Sequence, residues 1–535
     1  MHKFLFVPLI AAILATSNTA QAQGTLTGDF QANYNFYQSD SSIRTKGNLY
    51  DNYKNGGEAW ITNRYSNNGF TAFLRIDIFN NSGLYDPGNA FSSYGVGAFS
   101  LTKEIGNLSV TAGYIYDQIG SGILFRSYED RGLLIDNALE GVSLKYKPMK
   151  NITLKAFTGQ QKQITADKLD NRYQPVIKAF NAEGDFSAGT KAQFSPGIGI
   201  LNRTLDASTM SRVVSTINSQ ALDTRFVPTY NMYAFTLYNT LTAGDFSWYV
   251  EGAYKTHEAI DNTLMLVDKD GSVVYSTLGY AKKGIAINLT GKRTENFEMR
   301  TSTQENLLKG MLNWQPIVAR IRPQRLMSRY SPASQNQSEL AGGGDLLLSP
   351  KDNLDITLNY THIDDLNNVK LYREVFGEVE YRGINKWILI GGAQYLNYNK
   401  EVYQSDPGAP LIKAITPFAE ATYRFTPKKS LKLEVEYMST KQDYGSWAFA
   451  LLEFNIAPRW SFSASDMYIT QLNPNNPSNF TKSPHYYNAF MAYTSGPHRF
   501  TLSYVKQPDG INCTGGVCRY EPAFSGVRFG VTTSW

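Results

Sequence analysis

The stretch Leu26–Phe36, LTGDFQANYNF, alternates apolar or small residues with polar ones at every position. Successive side chains of a β-strand point to opposite faces, so this stretch predicts a strand with one apolar and one polar face. Leu354–Tyr360 and Leu431–Tyr437 show the same alternation. The chain is therefore predicted to be rich in amphipathic strands.

The composition of the chain excludes several classes of protein. Charged residues make up 18% of the 535 residues, which is below the roughly 25% typical of soluble domains. A helical membrane protein would need repeated apolar runs of about 20 residues, and the one run that approaches this length lies at the N-terminus. The net charge of +5 comes with no marked basic run, so we expect no nucleic-acid partner. A β-rich protein remains.

The N-terminus has the pattern of a secretory signal peptide. A short basic start is followed by an apolar run from Phe4 to Ala15 and then by Ala20-Gln21-Ala22, which has the small residues of an A-x-A cleavage site. The apolar run, about 12 residues, is too short to span a bilayer as a helix. We therefore predict a signal peptide at residues 1–22 and export of residues 23–535.

Short turn signals alternate along the chain with longer polar connections. The short signals lie at Asn67–Gly69, Glu104–Asn107, Lys147–Asn151, Ala243–Asp245, Ser349–Asn353, Thr426–Ser430, Ala457–Arg459 and Ser495–His498. The longer connections include Gln38–Gly57, Asn80–Ser93, Asn399–Lys413 and Gln471–Ser483. A soluble sheet does not require this alternation of short and long connections, whereas outer-membrane barrels have short periplasmic turns and long extracellular loops. The pattern predicts an all-β, transmembrane, antiparallel up-and-down β-barrel in the bacterial outer membrane.

The last residues of the chain support the barrel. Val527, Phe529, Val531 and Trp535 share one face of a predicted terminal strand. An alternating strand that ends on an aromatic carboxyl-terminal residue resembles the signal read by the barrel-assembly machinery, which we expect to be a partner during biogenesis. The alternative is a secreted β protein whose final strand happens to end in Trp.

The number of strands follows from the turns. Together with Gly383–Asn385, the short signals give nine inner turns, which predict 18–22 strands, an even number as such barrels require. Residues 161–227 are predicted to form a long loop or an infolded segment. A short helix near Ser208–Ile217 and strands that extend beyond the membrane are further possibilities. Residues 275–339 could hide one more hairpin.

Two cysteines lie close together before the final strand. Cys513 and Cys518 flank Thr514-Gly515-Gly516-Val517. In an exported protein this spacing predicts a local disulfide, which would stiffen one outer loop. The alternative, a redox function, usually needs a C-x-x-C spacing. We expect no metal site and no cofactor.

Two groups of charged residues are candidates for the lumen. The first is Arg126, Glu129, Asp130 and Arg131, which would either brace an infolded loop through ion pairs or line a constriction that selects solutes by charge. The second is Arg320, Arg322, Arg325 and Arg329. Arginine suits carboxylate or phosphate recognition, so these side chains predict an anion-attracting wall, a lipopolysaccharide contact, or pairing with lumen carboxylates such as Glu434 and Glu436.

Aromatic residues near the strand ends have two interpretations. They fit the aromatic girdles of a membrane interface, and a carbohydrate-binding platform could use the same side chains. They are Tyr34, Phe36, Trp248, Tyr249, Trp387, Tyr395, Tyr398, Trp447, Trp460, Tyr468 and Trp535. The histidines form no H-E-x-x-H pattern and there is no obvious nucleophile elbow, so we do not expect an enzyme.

The sequence resembles large outer-membrane barrels of Bacteroidota-type bacteria, in a group of exported proteins. The resemblance rests on Phe125–Asn137 (FRSYEDRGLLIDN), Arg172–Phe186 (RYQPVIKAFNAEGDF), Arg225–Leu241 (RFVPTYNMYAFTLYNTL) and Cys513–Trp535. It implies a fold and a location, without an activity or functional residues. TonB-dependent receptors are recognised by a large plug that precedes the barrel. In this chain the strand alternation begins at Leu26, so we expect it to lie outside that class.

These observations predict a porin-like channel for small polar solutes, surrounded by outer-membrane lipid and lipopolysaccharide. A non-conducting accessory or scaffold subunit of an outer-membrane secretion or surface-assembly complex is the main alternative. A surface adhesin or glycan binder is a further one.

Overall fold

The computed structural model describes residues 24–84, 90–132, 135–164, 171–262, 264–305, 309–335, 337–475, 483–514 and 517–535. For residues 511–514 and 517–519 only the backbone is described. The predicted signal peptide, with Ala20 and Ala22 at its cleavage site, lies outside these residues. Among the described residues, no helix is long and apolar enough to cross a membrane.

Twenty-four strands form one closed antiparallel barrel. The first twelve are β1 Thr25–Tyr37, β2 Asn55–Asn67, β3 Phe70–Ser82, β4 Phe91–Ile105, β5 Leu108–Ile115, β6 Leu139–Met149, β7 Ile152–Gln163, β8 Asn171–Gly184 (continued by Phe186–Ala188), β9 Ala192–Thr204, β10 Asn231–Ala243, β11 Phe246–Asp261 and β12 Leu266–Lys282. The others are β13 Ile285–Glu295, β14 Glu339–Lys351, β15 Leu354–Asp365, β16 Lys370–Tyr381, β17 Trp387–Asn399, β18 Leu411–Thr426, β19 Lys429–Met438, β20 Gly445–Ile456, β21 Trp460–Leu472, β22 His485–Ser495, β23 His498–Gln507 and β24 Phe524–Ser534. Each strand pairs with the next in sequence, so the predicted up-and-down barrel is confirmed.

The last strand closes the barrel against the first. Phe30 lies opposite Thr533 and Tyr34 opposite Phe529 in the β1–β24 register. The amide of Gly28 donates to the Trp535 carbonyl and the amide of Trp535 donates to the Gly28 carbonyl, both at 3.0 Å. A Cβ at Gly28 would come within 2.5 Å of the Trp535 ring, so only glycine, which has no side chain, fits at this junction. The face predicted for Val527, Phe529, Val531 and Trp535 is the outer face of the closing strand.

The distribution of residues is the reverse of that in a soluble protein. Large apolar side chains on the outer face are exposed, with Leu237 at 67% and Leu26 at 58%. Charged side chains on the lumen face are buried, with Glu251, Lys255 and Glu374 at 0%. An apolar outer surface on a closed barrel is the arrangement that a lipid environment requires.

All nine predicted inner turns connect neighbouring strands, but the strand count of 18–22 is wrong because two further hairpins exist. Their turns follow Ala188 and Lys282. Pro175 and Pro196 fall within β8 and β9, and a proline inside a run argues against a strand. Pro196 is tolerated because the β8–β9 ladder is interrupted beside it, between the pairs Glu183–Gly197 and Phe186–Phe194.

The helices lie in the long connections. They are α1 Ala207–Asn218, α2 Lys400–Tyr403, the 3₁₀ turns Ser41–Ile43, Leu222–Thr224 and Met327–Tyr330, and one π turn Leu49–Tyr53. The helix expected near Ser208–Ile217 is α1, and its N-cap is Asp206, whose side chain accepts from the amides of Ser208 and Thr209. Partial burial acts to raise its pKa, but these hydrogen bonds prevail and lower the pKa of Asp206 to about 2.

Short hairpins also lie in the long connections. Gln118–Ile119 pairs with Phe125–Arg126, and Glu129–Asp130 pairs with Ile135–Asp136. Gly510–Thr514 pairs with Val517–Glu521 and places Cys513 opposite Cys518 in the backbone register. The side chains of both cysteines are outside the described part of the chain, so the disulfide stays a prediction.

Three of the aromatic residues assigned to the girdles, Tyr249, Tyr398 and Trp447, face the lumen instead. Trp447 and Tyr398 are each 1% exposed, whereas Phe36 (51%) and Trp248 (43%) lie on the outer face. The reason is strand parity, because Trp447 belongs to the face of β20 that points inward.

The assignment of faces predicts unequal effects of one cationic substitution in β10. Leu237→Arg places a charge on the lipid face and should lower the free energy of unfolding by about 2–4 kcal/mol, the cost of an arginine near the bilayer midplane. Thr240→Arg, on the lumen face of the same strand, is the matched control and should cost much less. Guanidinium unfolding in lipid vesicles measures both, and equal losses would contradict the assignment.

Candidate functional site

Two long connections fold into the barrel instead of extending outward. Inner loop A comprises residues 116–132 and 135–138, between β5 and β6, and inner loop B comprises residues 296–305, 309–335 and 337–338, between β13 and β14. In loop A, Ile119, Ile123, Leu124 and Phe125 are 0% exposed. They pack with lumen-facing Phe157, Leu201, Ala234 and Ala253, and with Met299 and Leu312 of loop B. The apolar runs of both loops are therefore buried within the lumen.

Glu251 of β11 holds the start of loop A. Its carboxylate accepts four hydrogen bonds: from the amide of Ser121 (3.0 Å), the Ser121 hydroxyl (2.5 Å), the Thr236 hydroxyl (2.9 Å) and the Tyr249 hydroxyl (2.6 Å). No cation pairs with this carboxylate among the described residues. A buried charge is tolerated only when it is well hydrogen-bonded. The Glu251 carboxylate therefore needs the donors of loop A, and the same hydrogen bonds hold loop A in place.

A buried ion-pair network holds the other end of loop A. Arg75 of β3 contacts Asp77 (2.7 Å), Asp136 (2.6 Å) and Glu129 (2.8 Å), and Lys162 of β7 contacts Asp136 (2.6 Å). Burial acts to raise the pKa of Asp136, but Lys162 and Arg75 prevail and hold it below its usual value. Breaking such a network by removing one partner is costly, because it leaves an uncompensated buried charge.

The first group of predicted charges lies in loop A, where Glu129 and Arg131 are in contact and Arg126 and Asp130 have other neighbours. Arg126 lies between the rings of Tyr128 (4.3 Å) and Trp314 (4.7 Å). Arg131 contacts Glu129 (2.9 Å) and donates to Gln31 on the barrel wall (2.8 Å). Asp130 lies in the short hairpin, opposite Ile135. These contacts are those of a braced loop, the first of the two roles considered for this group.

Loops A and B form one continuous layer through direct hydrogen bonds. The Arg126 amide donates to the Leu312 carbonyl and the Trp314 amide donates to the Gly122 carbonyl, both at 3.0 Å. The Asn313 side chain donates to the Ile123 carbonyl at 3.0 Å. Since loop A is fixed to β3 and β11 and loop B to the opposite wall, the layer extends across the lumen.

Loop B begins and ends at a buried ion pair. Lys292 of β13 and Glu339 of β14 are in contact at 2.7 Å with both side chains fully buried. The same Lys292 ammonium donates to the Pro316 carbonyl at 2.8 Å. The pair thus joins the two strands that flank loop B and fixes the loop to their inner face.

An extended part of loop B runs along the inner wall at mid-height. Arg320 contacts Asp345 of β14 (3.1 Å), and Arg322 contacts Glu374 of β16 (2.9 Å) and Asn359 of β15 (2.7 Å). The Gln324 side chain donates to Glu420 of β18 (3.3 Å). The amides of Arg325 and Leu326 donate to Glu436 of β19 at 2.7 and 3.0 Å.

Side chains of this stretch alternate between the wall and open space. Arg322, Gln324 and Leu326 are buried, at 5%, 4% and 0% exposed. Ile321 is 50% exposed, and Pro323 and Arg325 are also exposed. Because the stretch is bound to lumen-facing side chains, its exposed edge borders solvent-filled space inside the barrel.

The second group of predicted charges is therefore spread along loop B. Arg329 lies 4.3 Å from the Trp447 ring and 3.8 Å from Asp443. Carboxylates of the lumen do contact this group, but the partners differ from those expected. Glu436 binds backbone amides, and Glu434 pairs with Lys432 at 2.7 Å.

Sequence reasoning missed the residues that fix the loops. Glu251, Arg75 and the Lys292–Glu339 pair were not among the candidates. Strand alternation was the available signal, since Glu251 and Lys255 share the inward face of β11. Alternation could identify the lumen-facing residues of a strand, but it could not identify their bonding partners, which lie in loops far away in sequence. Among the described residues no group of three or more His, Cys, Asp or Glu side chains could hold a metal ion.

A closed 24-stranded barrel with an apolar outer face and two infolded loops defines a large outer-membrane-type β-barrel. The whole chain, residues 1–535, matches the model of the family of unknown function DUF6029. The protein belongs to this family. No curated protein matches its sequence significantly.

Several solved structures are similar in outline. The siderophore receptor PirA from Pseudomonas aeruginosa is 10% identical, over 97% of this chain and 81% of that chain, with a TM-score of 0.41. A BenF-like porin from Pseudomonas fluorescens Pf-5 is 10% identical, over 78% and 94%, with a TM-score of 0.35. OccAB3 from Acinetobacter baumannii is 8% identical, over 96% and 99%, with a TM-score of 0.37. Likeness at this level defines no shared function.

The Glu251 contacts predict a local effect on loop A. Glu251→Ala removes the acceptor of four hydrogen bonds, so the amides of residues 116–125 should exchange hydrogen about tenfold faster or more, since each buried bond to a charge contributes about 1.5–3 kcal/mol. Glu378→Ala is the matched control, because this lumen carboxylate forms no hydrogen bond within the described chain. Hydrogen–deuterium exchange measures both, and unchanged exchange in Glu251→Ala would refute the anchoring role.

Proposed function

We propose that this protein is an outer-membrane channel for small polar solutes, with a lumen narrowed by inner loops A and B. The observation that carries the proposal is the exposed edge of loop B. Ile321, Pro323 and Arg325 are exposed at mid-height inside the barrel while their neighbours contact the wall. A tightly packed plug would bury both edges of this stretch.

The size of the barrel supports a narrowed passage. Barrels of 16–18 strands leave an aqueous channel and 22-stranded transporters have a plugged lumen, so 24 strands enclose more space than wall side chains can fill. Here the infolded loops occupy part of that space. The strand number also favours a class distinct from the TonB-dependent receptors.

Export through the predicted signal peptide and insertion into the bacterial outer membrane, in contact with lipid and lipopolysaccharide, belong to the same proposal. The exposed apolar outer face supports it. The resemblance to Bacteroidota-type barrels adds the expected source. The proposed activity is passive passage, without an enzymatic step.

Two tryptophan variants test where the passage lies. Purified protein in planar bilayers should conduct ions, and Ile321→Trp should reduce single-channel conductance about twofold or more, because the larger ring narrows the passage. Leu289→Trp is the matched control, since Leu289 is also 50% exposed but faces lipid from β13.

The possible results separate the candidate functions. If both variants have equal conductance, the passage does not run past Ile321, and the exposed edge of loop B no longer supports the proposed channel. A folded wild-type barrel that carries no current would contradict the channel. A stoichiometric partner in a native-detergent pull-down would then favour the accessory subunit of an outer-membrane complex.

A further inference from the structure

The short turns at one end of the barrel carry a marked excess of positive charge. Five turns that follow one another along this rim join β12–β13, β14–β15, β16–β17, β18–β19 and β20–β21. We define the basic arc as residues 282–285, 349–355, 380–386, 424–429 and 457–459. Its nine cations are Lys282, Lys283, Lys351, Arg382, Lys386, Arg424, Lys428, Lys429 and Arg459, and its three carboxylates are Asp352, Asp355 and Glu380.

Eight of the nine cations of the basic arc are unpaired. Arg382 contacts Asp355 and Glu380, each at 2.6 Å, so two of the three carboxylates already have a cation. The other eight cations are exposed, and none of them forms an ion pair or a side-chain hydrogen bond within the described residues. The arc therefore has many donors for an anionic partner outside the chain.

The unpaired cations lie close enough for their fields to overlap. Neighbouring strands are about 4.8 Å apart, so neighbouring turns on one rim are about 10 Å apart. The Debye length is about 8 Å at physiological ionic strength. Because the two lengths are similar, the basic arc presents one continuous positive surface.

The opposite rim has no comparable excess in the long connections 38–54, 205–230, 400–410 and 439–444. These four connections together contain seven cations and seven carboxylates. Some of them pair with each other, as Lys400 does with Asp406 at 2.9 Å. The positive surface is thus a property of the rim of short turns.

The basic arc lies where the lipid-facing wall of the barrel ends. Trp387 directly follows Lys386 and packs against Tyr423, with ring centroids 4.9 Å apart. Trp460 directly follows Arg459. Both tryptophans are on the outer face and more than one-third exposed, at 38% and 37%. Such rings lie at the level of lipid head groups, and the long cationic side chains beside them can reach the same level.

We propose that the basic arc binds the head groups of anionic phospholipids in the membrane leaflet that meets the short turns. Basic residues beside a membrane surface attract anionic lipids, and this attraction falls off within a Debye length. A lipid fits better than a soluble acidic protein because the cations adjoin lipid-facing rings. The inference rests on the membrane placement in the proposed function, since it names the lipid class that surrounds one rim.

Quenching of tryptophan fluorescence by brominated lipids tests the site. The four tryptophans that are more than one-third exposed all lie on the outer face near the short turns: Trp248, Trp387, Trp460 and Trp535. The purified protein is reconstituted in phosphatidylcholine vesicles that contain brominated phosphatidylglycerol or brominated phosphatidylcholine. The wild type should bind the brominated phosphatidylglycerol about threefold or more tightly. Salt at about 1 M should reduce this ratio, because the Debye length falls to about 3 Å.

Removal of four cations should weaken the preference for the anionic lipid. The arc variant combines Lys386→Gln, Lys428→Gln, Lys429→Gln and Arg459→Gln, and its binding ratio should fall about twofold or more. All four side chains are exposed, so the variant should fold, which heat-modified migration in gels would check.

The matched control removes four exposed, unpaired cations near the other rim. It combines Lys46→Gln, Lys54→Gln, Lys413→Gln and Lys441→Gln, which change the net charge by the same amount. Lys54 also matches the left-handed backbone of Lys386, with φ of 59° and 66°. The control should keep the binding ratio of the wild type.

The outcomes separate the lipid site from the proposed function. A lower ratio in the arc variant alone supports the site. A wild-type ratio of one overturns the site and favours an acidic soluble partner, and an equal fall in both variants overturns it as well. Absence of quenching by either lipid contradicts the membrane placement together with the site. A protein that keeps the ratio but carries no current retains the site and loses the channel, and a conducting protein without the preference does the reverse.

Discussion

The structure depends on the cost of leaving a backbone polar group unpaired in hydrocarbon, several kcal/mol for each group. Strands can meet this constraint only in a closed ring. Closure occurs where β24 joins β1, through the reciprocal bonds of Gly28 and Trp535. Once the ring is closed, apolar side chains face lipid and polar side chains face the lumen. The buried charges and exposed leucines follow from this one requirement.

Closure with 24 strands creates a second physical problem, a wide lumen lined with polar groups. Loops A and B respond to it by different means. Loop A inserts an apolar run among small and apolar wall residues and is fixed at its ends by Glu251 and Arg75. Loop B is bound by a series of wall carboxylates along one edge and leaves the other edge exposed. The free edge follows from the extended conformation, in which alternate side chains point in opposite directions.

Much of the architecture could be predicted because strand period and turn chemistry are local. The alternation in Leu26–Phe36 and the nine inner turns depend on neighbours in sequence. Local rules failed at β8 and β9, where prolines argue against strands and only the interruption of the ladder beside Pro196 makes one acceptable. Local rules also failed for Trp447. The presence of an aromatic residue at a strand end does not show whether its side chain points to the membrane interface or into the lumen, which depends on the face of the strand that it occupies.

The sequence by itself determined the barrel fold and the alternation of its short and long connections, and it indicated some of the residues that carry charge into the lumen. Only the tertiary structure decided which charges are paired. Arg320, Arg322, Arg325 and Arg329 lie within ten residues of one another and look alike in sequence. Their states differ because each meets a different strand of the wall, and strands β14 to β24 come from almost 200 residues of chain that closure brings into one circle. For Arg325 the backbone amide donates to the nearby Glu436 carboxylate, and its side chain is exposed.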